Sequence, residues 1–460
     1  MTKWGRGSGF WGAHPIGIMT RYGVFMFQRR KKRVCVISLD GVPGALLREA
    51  FREERLAPLR SLWQAGGAVE LTSTLPPISS VAWATYSTGV GPGGHGVFGF
   101  VERNPQEMSQ HILTSRDVAA PKLWEHAAQQ GKRAAVVNIP LTYPADPLSG
   151  WLVAGFPAPE LSRAAYPPDL ASRLAQEGYL VDPDPGTAGE PPEFFSQIER
   201  ALATRRRVAL ELLRKPWDLF HLHIMVTDRL NHFFLSDGLT DGRWREEFWA
   251  AYEAVAELVA EVVAALPPGT ELVLMSDHGF APLRWELDLN AFLRELGWLE
   301  LSGEGEGPAR VAPGSTAYSL TPGRIYLLMQ GRERDGWIEP GRARDYLERL
   351  SEALLSLSTP EGEPAIQRVF LGRDIYRGPK AELGPDLLAL PASGVELRGG
   401  WSGEGPFRPA CRQGGHTLTG AFLWIRGERP RAGEVLDVPA TVWALLGLPR
   451  PPEFEGKVLI

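Results

Sequence analysis

Only two cysteines, Cys35 and Cys411, occur in 460 residues. They are too few for a disulfide framework, and such sparse usage leans to a reducing compartment. No apolar run approaches the roughly 18 residues that a membrane-spanning helix needs, so no transmembrane segment is expected. Acidic residues are missing altogether before Asp40, where eight basic ones stand: Lys3, Arg6, Arg21, Arg29, Arg30, Lys31, Lys32 and Arg33. A secretory leader would need an apolar stretch after such a cluster, whereas Arg33 runs straight into the short strand-like VCVISL. Residues 1–33 therefore read as a basic, disordered extension, or as a start-site artefact with Met19 or Met26 first, and the expected location is cytoplasmic. Beyond that extension 41 basic residues face 54 acidic ones. A body of that charge excludes a general nucleic-acid-binding surface. Internal repeats are absent too. Gly (51) and Pro (39) signal many turns without low complexity, and 44% hydrophobic against 22% charged residues describes a folded chain with a large core.

Strand-like and helix-like runs alternate, which predicts an α/β fold with a mostly parallel sheet. VCVISL, AAVVNI, LFHLHIMV and ELVLMS are continuously apolar and β-rich, as strands covered on both faces should be. Amphipathic stretches such as FFSQIERALATRRRVALELLRK and REEFWAAYEAVAELVAEVVAAL separate them. From 284 to 383 short helices mix with Gly/Pro/Glu-rich loops. That segment is expected to form an inserted α+β subdomain, with 34–283 and 384–460 making the core.

Chemistry concentrates in short blocks. Asp40 ends VCVISLD, Asp228 and His232 lie in VTDRLNH, Asp277 and His278 end LVLMSDH, and His416 lies in GGHT. An Asp after a strand is often a turn former or helix cap. In an open α/β sheet, however, the carboxyl ends of the strands are where ligands bind. Asp228 and His232, four apart, share a face if a helix starts there. Three aspartates and three histidines suffice for two adjacent transition-metal sites. Ser79 and Ser80 open the helical stretch VAWATYST closed by Gly89. One is expected to attack phosphorus and the other to cap the helix, whose amino end suits a phosphate group.

The order Asp, hydroxyl nucleophile, Asp-x-x-x-His, Asp-His and final His resembles the alkaline phosphatase superfamily, in its type I phosphodiesterase/nucleotide pyrophosphatase branch. The resemblance runs from about Val34 to the C-terminus, with support from STGVGPGGHGVFGF, TDRLNHFF and DVPATVWALLGLP. It implies a three-layer α/β sandwich about a central, mostly parallel sheet. Counted back from Thr88-Gly89, Ser79 falls at the family's nucleophile. Asp228, His232 and His416 match the ligands of one divalent metal; Asp40, Asp277 and His278 match those of the other, with Ser79 also reaching a metal. Zinc is the usual ion, and manganese serves some relatives. Many nucleotide-cleaving members have a phosphoryl-binding asparagine where this chain has Phe100. Arg229, Lys122, Asn138 or the backbone of Ser80 are the candidate replacements. His95 reads as a loop residue, and His221 and His223 as strand residues.

The implied activity is hydrolysis of a small phosphate mono- or diester through a phosphoserine. A phosphotransferase or mutase on the same core is the enzymatic alternative, and a metal-stabilised binding protein the non-catalytic one. A sulfatase is excluded, because its modified residue needs a Cys/Ser-x-Pro-x-Arg context and Ser79 is followed by SVAW.

Overall fold

Successive side chains of an extended strand face opposite ways, and in the strand Arg33–Leu39 (β1) both ways lead inward. Cys35, Ile37 and Leu39 enter one hydrophobic cluster and Val34 and Val36 another. The computed structural model describes residues 32–303, 305–401 and 405–460. The disorder expected for the basic extension, and the question of its start site, lie almost wholly outside these residues.

The central sheet continues with Gly66–Thr72 (β2), Ala134–Val137 (β3), Gly150–Val153 (β4), Ala165–Tyr166 (β5), Leu219–Ile224 (β6), Thr270–Met275 (β7), Ala421–Arg426 (β8) and Gly433–Glu434 (β9). Their order across the nine-stranded sheet is β9-β2-β8-β7-β1-β6-β3-β4-β5. β7, β1, β6, β3 and β4 run parallel, while β8 is antiparallel to both its neighbours and β5 to β4. On one face pack the helices Pro191–Leu213, Val226–Leu239 and Arg245–Ala264, through residues such as Phe194, Leu230 and Tyr252. On the other pack Ser79–Thr88, Leu123–Gln129 and Val438–Leu445, through Trp83, Trp124 and Trp443. The fold is a three-layer α/β sandwich.

A third hydrophobic cluster lies in the inserted region. A four-stranded antiparallel sheet there takes the order Ala317–Leu320, Arg324–Leu327, Leu387–Pro391, Ile366–Leu371. A three-stranded sheet joins Val395–Arg398, Trp285–Asp288 and Phe407–Pro409. The insertion therefore runs past the expected boundary at 383. Leu387–Pro391 occupies the interior of one of its sheets, and Phe407–Pro409 pairs back on the strand that opens it.

The hairpin of Val101–Asn104 and Ser109–Ile112 joins core to cap. Met108 is buried in the cap's own cluster. Arg324 donates to Glu102 Oε1 at 2.7 Å and to the Val101 carbonyl at 2.8 Å. Arg103 reaches the Tyr318 hydroxyl at 3.1 Å and pairs with Glu333. These pairs are buried, where removing one partner would strand a charge, so the hairpin is tied firmly to the inserted strands.

Candidate active site

Parallel strands end on the same edge, and register aligns the ends. Leu39 lies opposite Ile224 and Ser38 opposite Met275. Asp40 follows β1, Asp228 sits in the first turn of Val226–Leu239 after β6, and Asp277 follows β7. His416 arrives differently. It is held by a two-stranded antiparallel ladder that sets Phe280 against His416.

Two groups of side chains gather, sharing Asp228. His232, His416 and Asp228 form one; Asp40, His278 and Asp228 form the other. In the first, His416 Nε2 lies 3.0 Å from His232 Nε2 and 3.1 Å from Asp228 Oδ1. In the second, His278 Nε2 is 3.3 Å from Asp277 Oδ2, 3.5 Å from Asp40 Oδ1 and 3.2 Å from Ser79 Oγ. Ser79 Oγ also donates to Asp40 Oδ1 at 3.2 Å.

The donor set fits divalent metals. His232, His278 and His416 each donate Nδ1–H to a backbone carbonyl, of Gly414, Gly279 and Pro77 at 3.0, 3.1 and 3.1 Å. That fixes the tautomer and turns each Nε2 lone pair toward the carboxylates. Burial holds His278 down to about 4 and His232 well below its usual range, so both rings are neutral acceptors. The Nε2 atoms of His232 and His416, 3.0 Å apart, and the buried Asp277 Oδ2 that no hydrogen bond satisfies are donors suited to cations. Burial, reinforced by Asp228, likewise pushes Asp40 up to about 6, and burial with Asp40 raises Asp277 well above the carboxylate range.

Helix Ser79–Thr88 begins after Ile78, which is its N-cap and lends no side chain, and it ends at Gly89 in the left-handed region (φ 72°). Neither serine caps, contrary to the expectation. Ser79 and Ser80 are its first two residues, and the buried Ser80 Oγ has no hydrogen-bond partner. Among the candidate phosphoryl donors, Arg229 lines the cavity over the site, whereas Lys122 and Asn138 do not. Lys122 precedes a helix and pairs with Glu125 and Asp146 at 3.4 and 3.5 Å. Asn138 (φ 68°) donates to the Val181 carbonyl at 2.8 Å and accepts from the Tyr179 hydroxyl, which makes it a support for the loop. Asp182 follows on that loop and accepts from Arg229 Nε and Nη2 at 2.8 and 2.6 Å. Arg229 Nη1 in turn donates to Asp228 Oδ2 at 3.0 Å.

A tryptophan outside the expected site residues holds Asp40, and an imidazole that burial keeps neutral lies beside it. Trp83 Nε1 donates to Asp40 Oδ2 at 2.8 Å, and His223 Nε2 lies 3.2 Å from the same oxygen. Ser38 Oγ links His223 Nδ1 and His221 Nε2 at 2.9 and 2.8 Å. His95, expected in a loop, ends the short helical turn Pro92–His95 and bonds Thr85 Oγ1 of the helix Ser79–Thr88 at 2.9 Å. One signal was available: Trp83 is four residues past Ser79, on the same helix face. Asp182 had none.

A parallel sheet whose carboxyl edge gathers three carboxylates and three imidazoles beside a buried serine defines an alkaline-phosphatase-like hydrolase. The chain belongs to the type I phosphodiesterase / nucleotide pyrophosphatase family, whose model matches residues 34–418. It is accordingly a metal-dependent phosphoester hydrolase. No curated protein sequence matches it. Among solved structures it is similar to phosphonoacetate hydrolase from Sinorhizobium meliloti 1021 in complex with phosphonoformate, at 15% identity and a TM-score of 0.62, over 90% of this chain and 96% of that one. It is also similar to murine ectonucleotide pyrophosphatase / phosphodiesterase 5, inactive form, in complex with AMP, at 13% identity and a TM-score of 0.57, over 92% and 96%. The human counterpart gives 13% and 0.58, over 93% and 97%. At these identities the likeness establishes the fold. Among the described residues no helix is long and apolar enough to cross a membrane.

Proposed function

We propose that the protein cleaves phosphoesters in two displacements at phosphorus, with Ser79 as the nucleophile and two divalent metals, zinc or manganese, as cofactors. Asp228, His232 and His416 would hold one ion, and Asp40, Asp277 and His278 the other. When bound, such ions lower the pKa of a hydroxyl and neutralise charge on phosphoryl oxygens.

One observation carries the reading. Ser79 Oγ is buried, lies 3.2 Å from both Asp40 and His278, and borders the cavity that also exposes Asp228, His232 and His416. Asp40 Oδ1 accepts the serine hydrogen in the resting site and holds Oγ toward the cavity. At the start of a ten-residue helix, the Val81 and Ala82 N–H groups donate to the Ile78 carbonyl, which leaves those of Ser79 and Ser80, with the positive end of the dipole, to meet a phosphoryl oxygen. Arg229, clamped by Asp182, offers a fixed positive charge beside the same space. Ser79 Oγ attacks, the ester oxygen leaves, and water then cleaves the phosphoserine from the vacated side.

The test uses p-nitrophenyl phosphate and bis-p-nitrophenyl phosphate with and without chelator, on wild type and Ser79→Ala. Chelator-sensitive release by wild type, lost in Ser79→Ala with metal content intact, is expected. A phosphate adduct on Ser79, detected by mass spectrometry after acid quench, is expected as well. Wild-type rates in Ser79→Ala would move the nucleophile to Ser80 or to water. Retention of the adduct without release of phosphate would favour a phosphotransferase.

A further inference from the structure

We infer that the organic group carried by the phosphorus is a hydrophobic one, an aryl or alkyl alcohol, and not a nucleoside. The inference rests on the hydrolase reading for its location and on the cavity walls for its content.

The cavity over Ser79 holds about 490 Å³, enough for a ring or a short chain beside the phosphoryl group. Away from the reacting centre its walls are Phe100 and Phe156 on the core side, packed edge to face with centroids 5.3 Å apart, and Leu320, Leu390 and Leu397 on the cap side. Polar groups also reach this space; the protein engages most of them, Gln110 being the solvent-exposed exception. Arg324 is spent on Glu102 and on the Val101 and Thr321 carbonyls. Thr321 Oγ1 accepts from the Gly399 N–H at 2.9 Å. Arg398 lies 3.3 Å from Glu286 and 2.8 Å from Glu396, and Arg412 lies 3.5 Å from Glu396. Gln110 is exposed to solvent.

A ribose and a base would bring several hydroxyl, carbonyl and amino groups to these walls. Apart from one that meets the Gln110 amide, these groups would surrender their water without a protein partner. An aromatic ring or hydrocarbon chain surrenders nothing there and gains contact with Phe100 and Phe156. Size does not discriminate in a space this large; polarity does.

The experiment compares three diesters that share one leaving group, on the metal-loaded full chain: phenyl p-nitrophenyl phosphate, hexyl p-nitrophenyl phosphate and thymidine 5′-p-nitrophenyl phosphate. The better hydrophobic ester should exceed the nucleotide by on the order of 100-fold in kcat/KM, the discrimination typical of an apolar pocket against an added polar group. Whether phenyl or hexyl leads tells an aryl source from an alkyl one. Phe100→Asn should narrow the ratio at least about tenfold, while Phe100→Leu should keep it. A nucleotide ester cleaved as well as or better than both others overturns the inference.

Calorimetric binding of phenylphosphonate and thymidine 5′-monophosphate, which carry matched charge, separates this inference from the hydrolase reading. Tighter phenylphosphonate binding with no turnover of any diester or of p-nitrophenyl phosphate would sustain the pocket assignment while removing the catalytic one. Equal or tighter binding of the nucleotide, with turnover present, would remove only the pocket assignment.

Discussion

Removing the Asp182 carboxylate tests whether the loop before Pro185 holds the reacting edge together. Both Nε and Nη2 of Arg229 donate to Asp182 Oδ2, at 2.8 and 2.6 Å. The guanidinium carbon sits 5.0 Å from the centre of the Phe156 ring, and Nη1 reaches Asp228 Oδ2 at 3.0 Å. The side chains of Asp182 and Arg229 are only 7% and 10% exposed, so solvent does little to replace a lost partner. Breaking such a buried pair from one side costs roughly 3–5 kcal/mol. Asp228 remains on Nη1, which places Asp182→Ala at the lower end, about 3 kcal/mol. Because burial lifts the Asp182 carboxyl to about 6, unfolding in urea should be followed near pH 8 (roughly two units above that value), where the pair is ionised. Arg229→Met supplies the other corner of a double-mutant cycle. The double variant should be more stable than the sum of the single losses by about 2 kcal/mol, since the second change removes the stranded partner. Asp228 would also lose its fixed orientation, and metal affinity should fall about 10–100-fold in Asp182→Ala, as for other groups that orient a metal-ligating side chain. Additive losses, or unchanged metal affinity, would refute the reasoning.

Gly41→Ala should lose both stability and bound metal: an added Cβ would lie 2.4 Å from the Phe280 ring and 3.0 Å from His278 Cε1, at a φ of 63°. The left-handed backbone alone costs roughly 1–2 kcal/mol, and metal analysis with thermal unfolding checks the result. His95, which burial holds down to about 3, predicts a pH dependence. An unfolded imidazole near 6.5 takes up a proton that the folded one refuses, so this contribution is full above about pH 6.5 and is lost as pH falls toward 3, by up to ~1.4 kcal/mol per pH unit. His95→Asn should flatten that acid limb in urea midpoints measured between about pH 7.5 and 5.5 (about one unit either side of the free value). Chelation should lower the thermal midpoint, because a metal at 100 times its Kd contributes about 2.7 kcal/mol. Readdition of zinc or manganese should restore it, and an unchanged midpoint would show that the clustered carboxylates tolerate one another without a cation.

Local chemistry made much of this molecule legible. Runs such as VCVISL and ELVLMS are apolar on both faces, which only a strand between two helical layers satisfies, and an aspartate at the end of each marks the edge where such strands stop. The family pattern likewise lies within short blocks. Long-range pairing decided the rest. Antiparallel pairing with Gly279–Pro282 brings His416 to Asp228, and strand exchange across more than a hundred residues carries the cap past 383 to Phe407–Pro409. Asp182 meets Arg229, and His223 with Trp83 meets Asp40, because loops and neighbouring strands converge there. Lys122 and Asn138 resembled substrate groups in sequence, but packing assigned them to a helix start and a loop support. Composition and periodicity report which face of an element is buried. Which distant element covers that face depends on register and topology, so the strand ends could be read from sequence and the partners that aim their side chains could not.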